Sequence, residues 1–237
     1  IDRVLSKISY RAGQKEYFNN PMKEGKVFKK LVYGKAPKLS TCEKVIVYAD
    51  PSTSNKDKSG GNASSKAVVI IGFKALRFYI YWIRVDQTNN SKFVDWLFDA
   101  YDYLVKNEVD IKNMQIENNS LQDSHYEQVI QPEIKRRAKI RRARLPIKPD
   151  TRNKSDKFFR IEGTLEPIHR DGDLVFDEKL KDTPDMERAE EQMLDVSPNS
   201  KTMDFPDALE GGVWQLQKNN VVAENKFRVG KRVSFKS

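Results

Sequence analysis

The 237 residues hold 43 Lys and Arg against 34 Asp and Glu, a formal net charge of +9, and 32% of positions are charged. That length suits one large domain, or one domain with an extension, and allows a substantial core, while the basic balance points to an anionic partner if the charge clusters. One cysteine, Cys42, excludes an internal disulfide framework, and only two histidines, His125 and His169, leave no zinc-ligand cluster, so any metal here is expected to be a hard, oxygen-liganded ion.

The longest apolar run, Ala67 to Phe73, is too short to span a bilayer, and no signal-peptide pattern opens the chain. A soluble protein of a reducing compartment, with no membrane partner, is therefore expected. A start on Ile1 rather than Met suggests a fragment or a processed product.

Residues Ile1 to Lys30 are polar and mixed, with turn chemistry at Asn19-Asn20-Pro21 and Glu24-Gly25, and read as an arm or inter-domain linker. Lys35 to Thr41 reads as loop. The run KVIVYADP, Lys44 to Pro51, is short, apolar and β-branched, and it stops abruptly on Asp50 before a proline. This is the pattern of a buried strand, Val45 to Ala49, that delivers a carboxylate at its C-terminal end. Ser52 to Ser65 is rich in Ser, Asn, Lys and Gly and reads as an exposed loop; its GGNASSK lacks the spacing of a phosphate-binding loop and precedes a strand rather than a helix.

Lys66 to Phe73 and Leu76 to Val85 are strand candidates joined at Lys74-Ala75, hence antiparallel, with Leu76, Phe78, Ile80 and Trp82 expected on one face. Phe93, Val94, Leu97, Phe98, Tyr101, Leu104 and Val105 recur at helical spacing after Asn89-Asn90, an aromatic stripe of the kind that lines a core. Ile111 to Ile116 is the next strand, reached by a helical crossover and so expected to lie parallel; it stops on Glu117 and turns at Asn118-Asn119. Ser120-x-x-Asp123 has the form of a capping box for a helix to about Gln131. This order predicts an α/β fold in which a leading antiparallel meander is followed by parallel strands with flanking helices.

From Lys135 to Arg144 the sequence is KRRAKIRRAR. A charge run is most often a solvated helix face, but this one has a single sign and no internal acid for i,i+4 pairs, which favours an anionic ligand. Leu145 to Lys148 reads as a short strand, Asn153 to Gly163 as a basic helix, Gly172 to Phe176 as a strand, and Met186 to Leu194 as a helix after Pro184. The last helix is expected from Phe205 to Gln217, with a basic tail from Lys218. The domain reading is an arm over 1–40, one α/β domain over 41–217 and a tail over 218–237.

Asp50 and Glu117 close strands that are expected to be neighbours, and ligands of open α/β sheets collect at the carboxyl ends of strands. Asp204 and Asp207 stand three apart, on one face near a helix start. Each acid alone would more often be structural, Asp204 as an N-cap for instance. Together they form a candidate site for Mg2+ or Mn2+, since converging carboxylates repel one another until a cation joins them, and a pair of such ions suits phosphodiester cleavage.

The strand ending on Asp50-Pro51, the later Ile116-Glu117, Lys157-x-x-Arg160-Ile161, Leu165-Glu166-Pro167 and EEQMLDVSPNSKTMDFPDALE together resemble the C-terminal nuclease domain of the tailed-phage terminase large subunit. The resemblance covers nearly the whole chain and is most specific over Gln192, Leu194, Pro198, Asp204, Asp207, Ala208 and Leu209; EYFNNPMKEGKVFKK is similar to the segment leaving that family's ATPase domain. It implies a ribonuclease H-like fold and an endonuclease that cuts concatemeric double-stranded DNA with a two-metal Mg2+ or Mn2+ site during genome packaging. It further implies a prophage or phage protein of the host-cell cytoplasm, partnered by an ATPase domain that this chain lacks, a small terminase subunit and a portal. By the same resemblance Asp50, Glu117 and Asp207 are catalytic metal ligands, Asp204 is an accessory ligand, and Lys157 and Arg160 lie close to the DNA backbone unless they form a solvated helix face. Arg136, Arg137, Arg141 and Arg142 of the basic run are further DNA-contact candidates. Two other readings stay open: another ribonuclease H-like nucleotidyl transferase, such as a transposase or resolvase, and a non-catalytic DNA- or portal-binding module.

Overall fold

A computed structural model describes residues 27–52, 64–110, 113–118 and 126–226, with side chains up to position 218. The proposed capping box at Ser120 to Asp123, the Gly60-Gly61 loop, most of the N-terminal arm and the end of the tail lie outside the described residues. In chain order the elements are β1 (Val32–Gly34), β2 (Lys44–Asp50), β3 (Lys66–Lys74), β4 (Arg77–Asp86), α1 (Asn90–Lys106), β5 (Met114–Glu117), α2 (Gln131–Arg141), β6 (Ile147–Asp150), α3 (Lys157–Arg170), β7 (Leu174–Asp177), α4 (Pro184–Asp195) and α5 (Asp204–Lys226). Among the described residues the strands form one seven-stranded sheet in the order β1-β7-β4-β3-β2-β5-β6.

The expected meander and parallel strands are both present. β2, β3 and β4 pair antiparallel, whereas β5 runs parallel to β2, β6 to β5, β7 to β4 and β1 to β7. β1 is an addition to the sequence reading: the sheet already begins within the segment read as an arm, and nearby Phe28 is fully buried in the core. α5 likewise runs on past Gln217 to Lys226.

Period-2 alternation divides the central strands between two cores. Ile46 and Tyr48 of β2, with Val69 and Ile71 of β3, face α3, α4 and α5 through Ile161, Leu165, Met193, Phe205, Leu209 and Val213. Val47, Ala49, Val68 and Ile70 face the other way, against Phe93, Leu97 and Phe98 of α1 and Ile134 of α2. Each fully buried Val, Leu, Ile, Phe or Met among these contributes about 1.5–3 kcal/mol. The result is a three-layered α/β/α arrangement.

β4 departs from the expected single face. Ile70 pairs with Trp82 and Ile71 with Ile80, so Tyr81 is an extra residue in the ladder. This bulge turns Tyr81 and Trp82 together toward α1 and returns Ile83 and Val85 to the opposite core, separating Trp82 from Phe78 and Ile80. Leu76, also expected on that face, is 80% exposed, because the hairpin turns at Ala75 and Leu76, both left-handed (φ 50° and 65°).

The first part of the helix expected to end near Gln131 lies outside the described residues, and the helical chain runs on past Gln131 rather than stopping there. A wide π-type turn over Tyr126–Ile130 leads into α2, with Pro132 in its first turn, where no backbone donor is needed. The basic run therefore lies largely on α2. α5 approaches β2 closely because of Gly211 and Gly212: a Cβ on Gly211 would stand 2.4 Å from two Tyr48 ring carbons, and one on Gly212 2.6 Å from Ile71 Cδ1. Two glycines lower intrinsic helix propensity by about 1 kcal/mol each, but they let the N-terminal end of α5 reach the sheet edge.

Candidate metal centre

Three parallel strands end on acids at one edge of the sheet. Ala49 is paired with Ile116, so the next residues, Asp50 and Glu117, are neighbours, and Glu117 is paired with Asp150. Asp207 enters from the first turn of α5. Carboxylate oxygens of Asp50, Glu117 and Asp207 lie within 4.8 Å of one another, and all three residues are buried. A buried cluster of like charges holding hard oxygen donors fits Mg2+ or Mn2+ and is poorly suited to soft metals.

The electrostatics divide the three acids. Burial, with Glu117 and Asp207 beside it, pushes the Asp50 carboxyl up to about 8. Burial acts in the same sense on Asp207, but the Arg160 hydrogen bonds and the charges of Lys154, Lys157 and Arg160 outweigh it and hold that carboxyl at about 2. Lys157 shows the converse: burial lowers it, and Asp207, Asp50 and Asp204 more than compensate, raising it above the ordinary lysine range.

Asp204 stands outside the group of three. Its Oδ2 accepts from the Ser65 amide at 2.7 Å, and its Oδ1 accepts from the Ser64 hydroxyl at 3.1 Å and from Lys157 Nζ at 3.0 Å, which ties the start of β3 to the start of α5. Lys157 and Arg160 do not form a solvated helix face. Both turn inward from α3, Lys157 to Asp204 and Asp207, Arg160 to Asp207 and Glu210.

Further residues complete the site without having been singled out in the sequence. Asp150 accepts from the Tyr48 hydroxyl at 2.7 Å and caps the loop after β6 through the Arg152 amide. Glu210, fully buried one turn beyond Asp207, accepts from Arg152, Arg160 and the Thr164 hydroxyl. Lys154 Nζ lies 2.5 Å from Glu117 and 3.3 Å from Asp207. Lys66, fully buried, donates to the Pro51 and Ser52 carbonyls at 2.8 Å each, and burial lowers its ammonium to about 8. The strand Ile147–Asp150 ending on an acid repeats the signal of the Asp50 strand, and Glu210 lies at helical spacing from Asp207; Lys154, expected inside the helix Asn153 to Gly163, lies instead in the loop ahead of it, because Asp156 caps α3 and the helix starts only at Lys157.

The basic run is partly neutralised on the far face of the sheet. Glu133, just ahead of it, accepts from Arg136 and Arg137. Arg137 also pairs with Asp95 and Ser91 of α1, and its side chain is only 12% exposed. Arg141 reaches Asp102 at 3.1 Å and lies over the Phe98 ring. Lys139 and Arg142 are exposed. The described helices include none long and apolar enough to cross a membrane.

No protein-family model and no curated protein matches the chain. Solved structures do. The human cytomegalovirus terminase nuclease domain, soaked with Mn and inhibitor-bound, is 15% identical with a TM-score of 0.52, over 81% of this chain and 92% of that one. The large terminase of a thermophilic bacteriophage is 11% identical with a TM-score of 0.55; the alignment covers 91% of this chain but 50% of that one, so this chain spans about half its length. The same bacteriophage protein in complex with ATP-gamma-S gives 12% identity and a TM-score of 0.54, over 88% of this chain and 50% of that one. The fold is thus that of terminase nuclease domains, a ribonuclease H-like mixed sheet flanked by helices.

Proposed function

We propose that this domain is the nuclease of a terminase large subunit: a metal-dependent endodeoxyribonuclease that cuts concatemeric double-stranded viral DNA. The observation that carries the reading is the buried meeting of Asp50, Glu117 and Asp207 at the carboxyl edge of adjacent strands, in a fold of the terminase nuclease type. These three residues would hold Mg2+ or Mn2+, as a pair of ions in the two-metal form of the chemistry, with Asp204 in an accessory place. Bound there, the metal supplies Lewis acidity toward a phosphoryl oxygen and a more acidic water.

The chain's own part is to keep these carboxylates aimed and to hold Asp207 ionised. Arg160 holds Asp207 by both oxygens, Glu210 and Thr164 brace that arrangement from beneath, and Lys157, 33% exposed in its side chain, stands at the rim with an ammonium to offer a phosphate. Exposed Arg142 and Lys139 suit longer-range contact with the DNA backbone, with Arg136 and Arg141 at its margin. The length of the thermophilic bacteriophage protein and its ATP-gamma-S complex support an ATPase domain as a partner. Engagement of a small terminase subunit and a portal follows from the terminase reading alone.

Supercoiled plasmid incubated with the protein in Mn2+, in Mg2+ and in excess chelator tests this. Nicked and linear products with free ends are expected only with metal, and Asp50→Asn, Glu117→Gln and Asp207→Asn should each abolish them while remaining folded. Strand-transfer products would favour a transposase-type reaction, and cleavage that survives Asp207→Asn would overturn the site assignment.

A further inference from the structure

We infer that Lys154 is an internal counter-ion that occupies the cation position between Glu117 and Asp207 and must leave before metal can join them, so that DNA and metal enter the site together. The inference rests on the metal-dependent nuclease reading. The Lys154 ammonium lies 2.5 Å from Glu117 Oε2 and 3.3 Å from Asp207 Oδ1, its side chain is 6% exposed, and the Tyr48 ring, 5.5 Å from ammonium to centroid, closes one side. Two of the three converging carboxylates are thus already bridged by a positive charge. An ammonium and a divalent ion compete for the same oxygen lone pairs, so a cation bridging Glu117 and Asp207 requires the lysine to withdraw.

The other cations around the acids are built differently. Lys157 and Arg160 belong to α3, and Arg160 is additionally tied to Glu210 at 2.9 Å. Lys154 sits in the stretch 151–156, outside any helix or strand. That stretch is anchored at both ends by side chains: Asp150 accepts from the Arg152 amide, and Asp156 accepts from the Phe158 and Phe159 amides as the cap of α3. Rotation of the flexible four-carbon stem therefore frees the ammonium without unfolding a secondary-structure element.

A withdrawn ammonium at the mouth of an acidic site needs a new anion, and a DNA phosphate is one that a compact, rotatable charge accepts readily. Metal and DNA then favour the same displaced position of Lys154. By linkage each must raise affinity for the other, and without DNA the lysine holds metal affinity low. A nuclease so arranged stays quiet in free metal and assembles its centre on the substrate.

Mn2+ binding followed by electron paramagnetic resonance, with and without a short phosphorothioate-linked duplex that resists cutting, tests this in wild type, Lys154→Met and Lys154→Arg. Removing a unit charge about 4 Å from the site should tighten metal binding without DNA by roughly tenfold or more. The duplex should strengthen Mn2+ binding to wild type and to Lys154→Arg by a larger factor than to Lys154→Met, which gains only the phosphate's direct ligation. If wild type holds Mn2+ and Lys154→Met holds it equally or more weakly, the counter-ion inference fails while the nuclease reading stands. If no variant holds site-bound Mn2+ under either condition, both fail. Should Lys154→Met not fold, acylation of the wild type decides: the Lys154 amine should be labelled faster in saturating Mn2+ than in chelator, and an unchanged rate would overturn the proposal.

Discussion

Arg160 grips the Asp207 carboxylate with both terminal nitrogens, Nη1 on Oδ1 and Nη2 on Oδ2 at 2.6 Å, while Nη1 also reaches Glu210 Oε2 at 2.9 Å. One buried guanidinium thus serves two buried acids a helical turn apart. Arg160→Met leaves Asp207 to Lys154 and Lys157 and Glu210 to Arg152 and Thr164, each acid short of one buried partner, and removing one partner of a buried pair costs about 3–5 kcal/mol. Urea denaturation should show a loss of that order. Asp207, held at about 2 against an ordinary 3.8, contributes stability that is present above the ordinary value and lost as pH falls through 2. The deficit of Arg160→Met should therefore be largest near neutrality and shrink in strong acid; a deficit independent of pH would assign Arg160 a packing role only.

Metal should stabilise the fold through the same acids. At a Mn2+ concentration about one hundred times the dissociation constant, one site adds roughly 2.7 kcal/mol, read as a raised melting temperature. Asp50→Asn should reduce that gain. Because the Asp50 carboxyl is raised to about 8 from 3.8, the folded state keeps its proton where the unfolded chain has released it, and metal-free stability falls as pH rises through that interval. In chelator, Asp50→Asn should thus gain on wild type as pH increases. Equal melts in Mn2+ and in salt matched for ionic strength would remove the case for a shared metal site.

The cations of α2 should separate into two kinds. Arg137, paired with Asp95 and Glu133, joins α2 to α1, so Arg137→Ala should lower stability and leave the salt dependence of DNA binding nearly unchanged. Lys139→Ala with Arg142→Ala should do the reverse, flattening the salt dependence by roughly 0.9 log units per lost phosphate contact on duplex DNA. Fluorescence anisotropy with a labelled duplex across a salt series measures the slope. An unchanged slope in the double variant would return this run to a solvated face.

His169 supplies a pH signature away from the acids. It stands edge-on to Phe28 at 5.2 Å between ring centroids, and burial lowers its pKa from 6.5, against a hydrogen bond with the Lys30 backbone. The unfolded chain then takes up the proton first, so stability holds above pH 6.5 and declines as pH falls below it. The stability difference between His169→Gln and wild type, followed by urea denaturation from pH 8 to pH 5 (on the order of one unit either side of the histidine range), should move in favour of the variant as the medium is acidified. A difference flat across that range would mean that His169 titrates alike in both states.

Local patterning sufficed for much of this protein. The runs ending on Asp50 and Glu117 are apolar, β-branched and abruptly terminated, and alternation along them decides which side chains face a core and where the strand stops; Asp204 and Asp207 share a helix face by spacing alone. These are properties of neighbouring residues, which is why the meander, the parallel β5 and the acids were legible. The tertiary structure decided what those acids meet. Trp82 changes faces because of one extra residue in a ladder with β3; Val32 becomes a strand only by pairing with β7; Arg137 is held by an acid 42 positions away; and Lys154 reaches Glu117 across 37 positions. Register across the sheet and the close seating of α5 on Tyr48 set those meetings. An ion pair depends on separations in space that packing alone determines, so no spacing rule along the chain could distinguish the loop lysine inside the acid cluster from the exposed ones outside it.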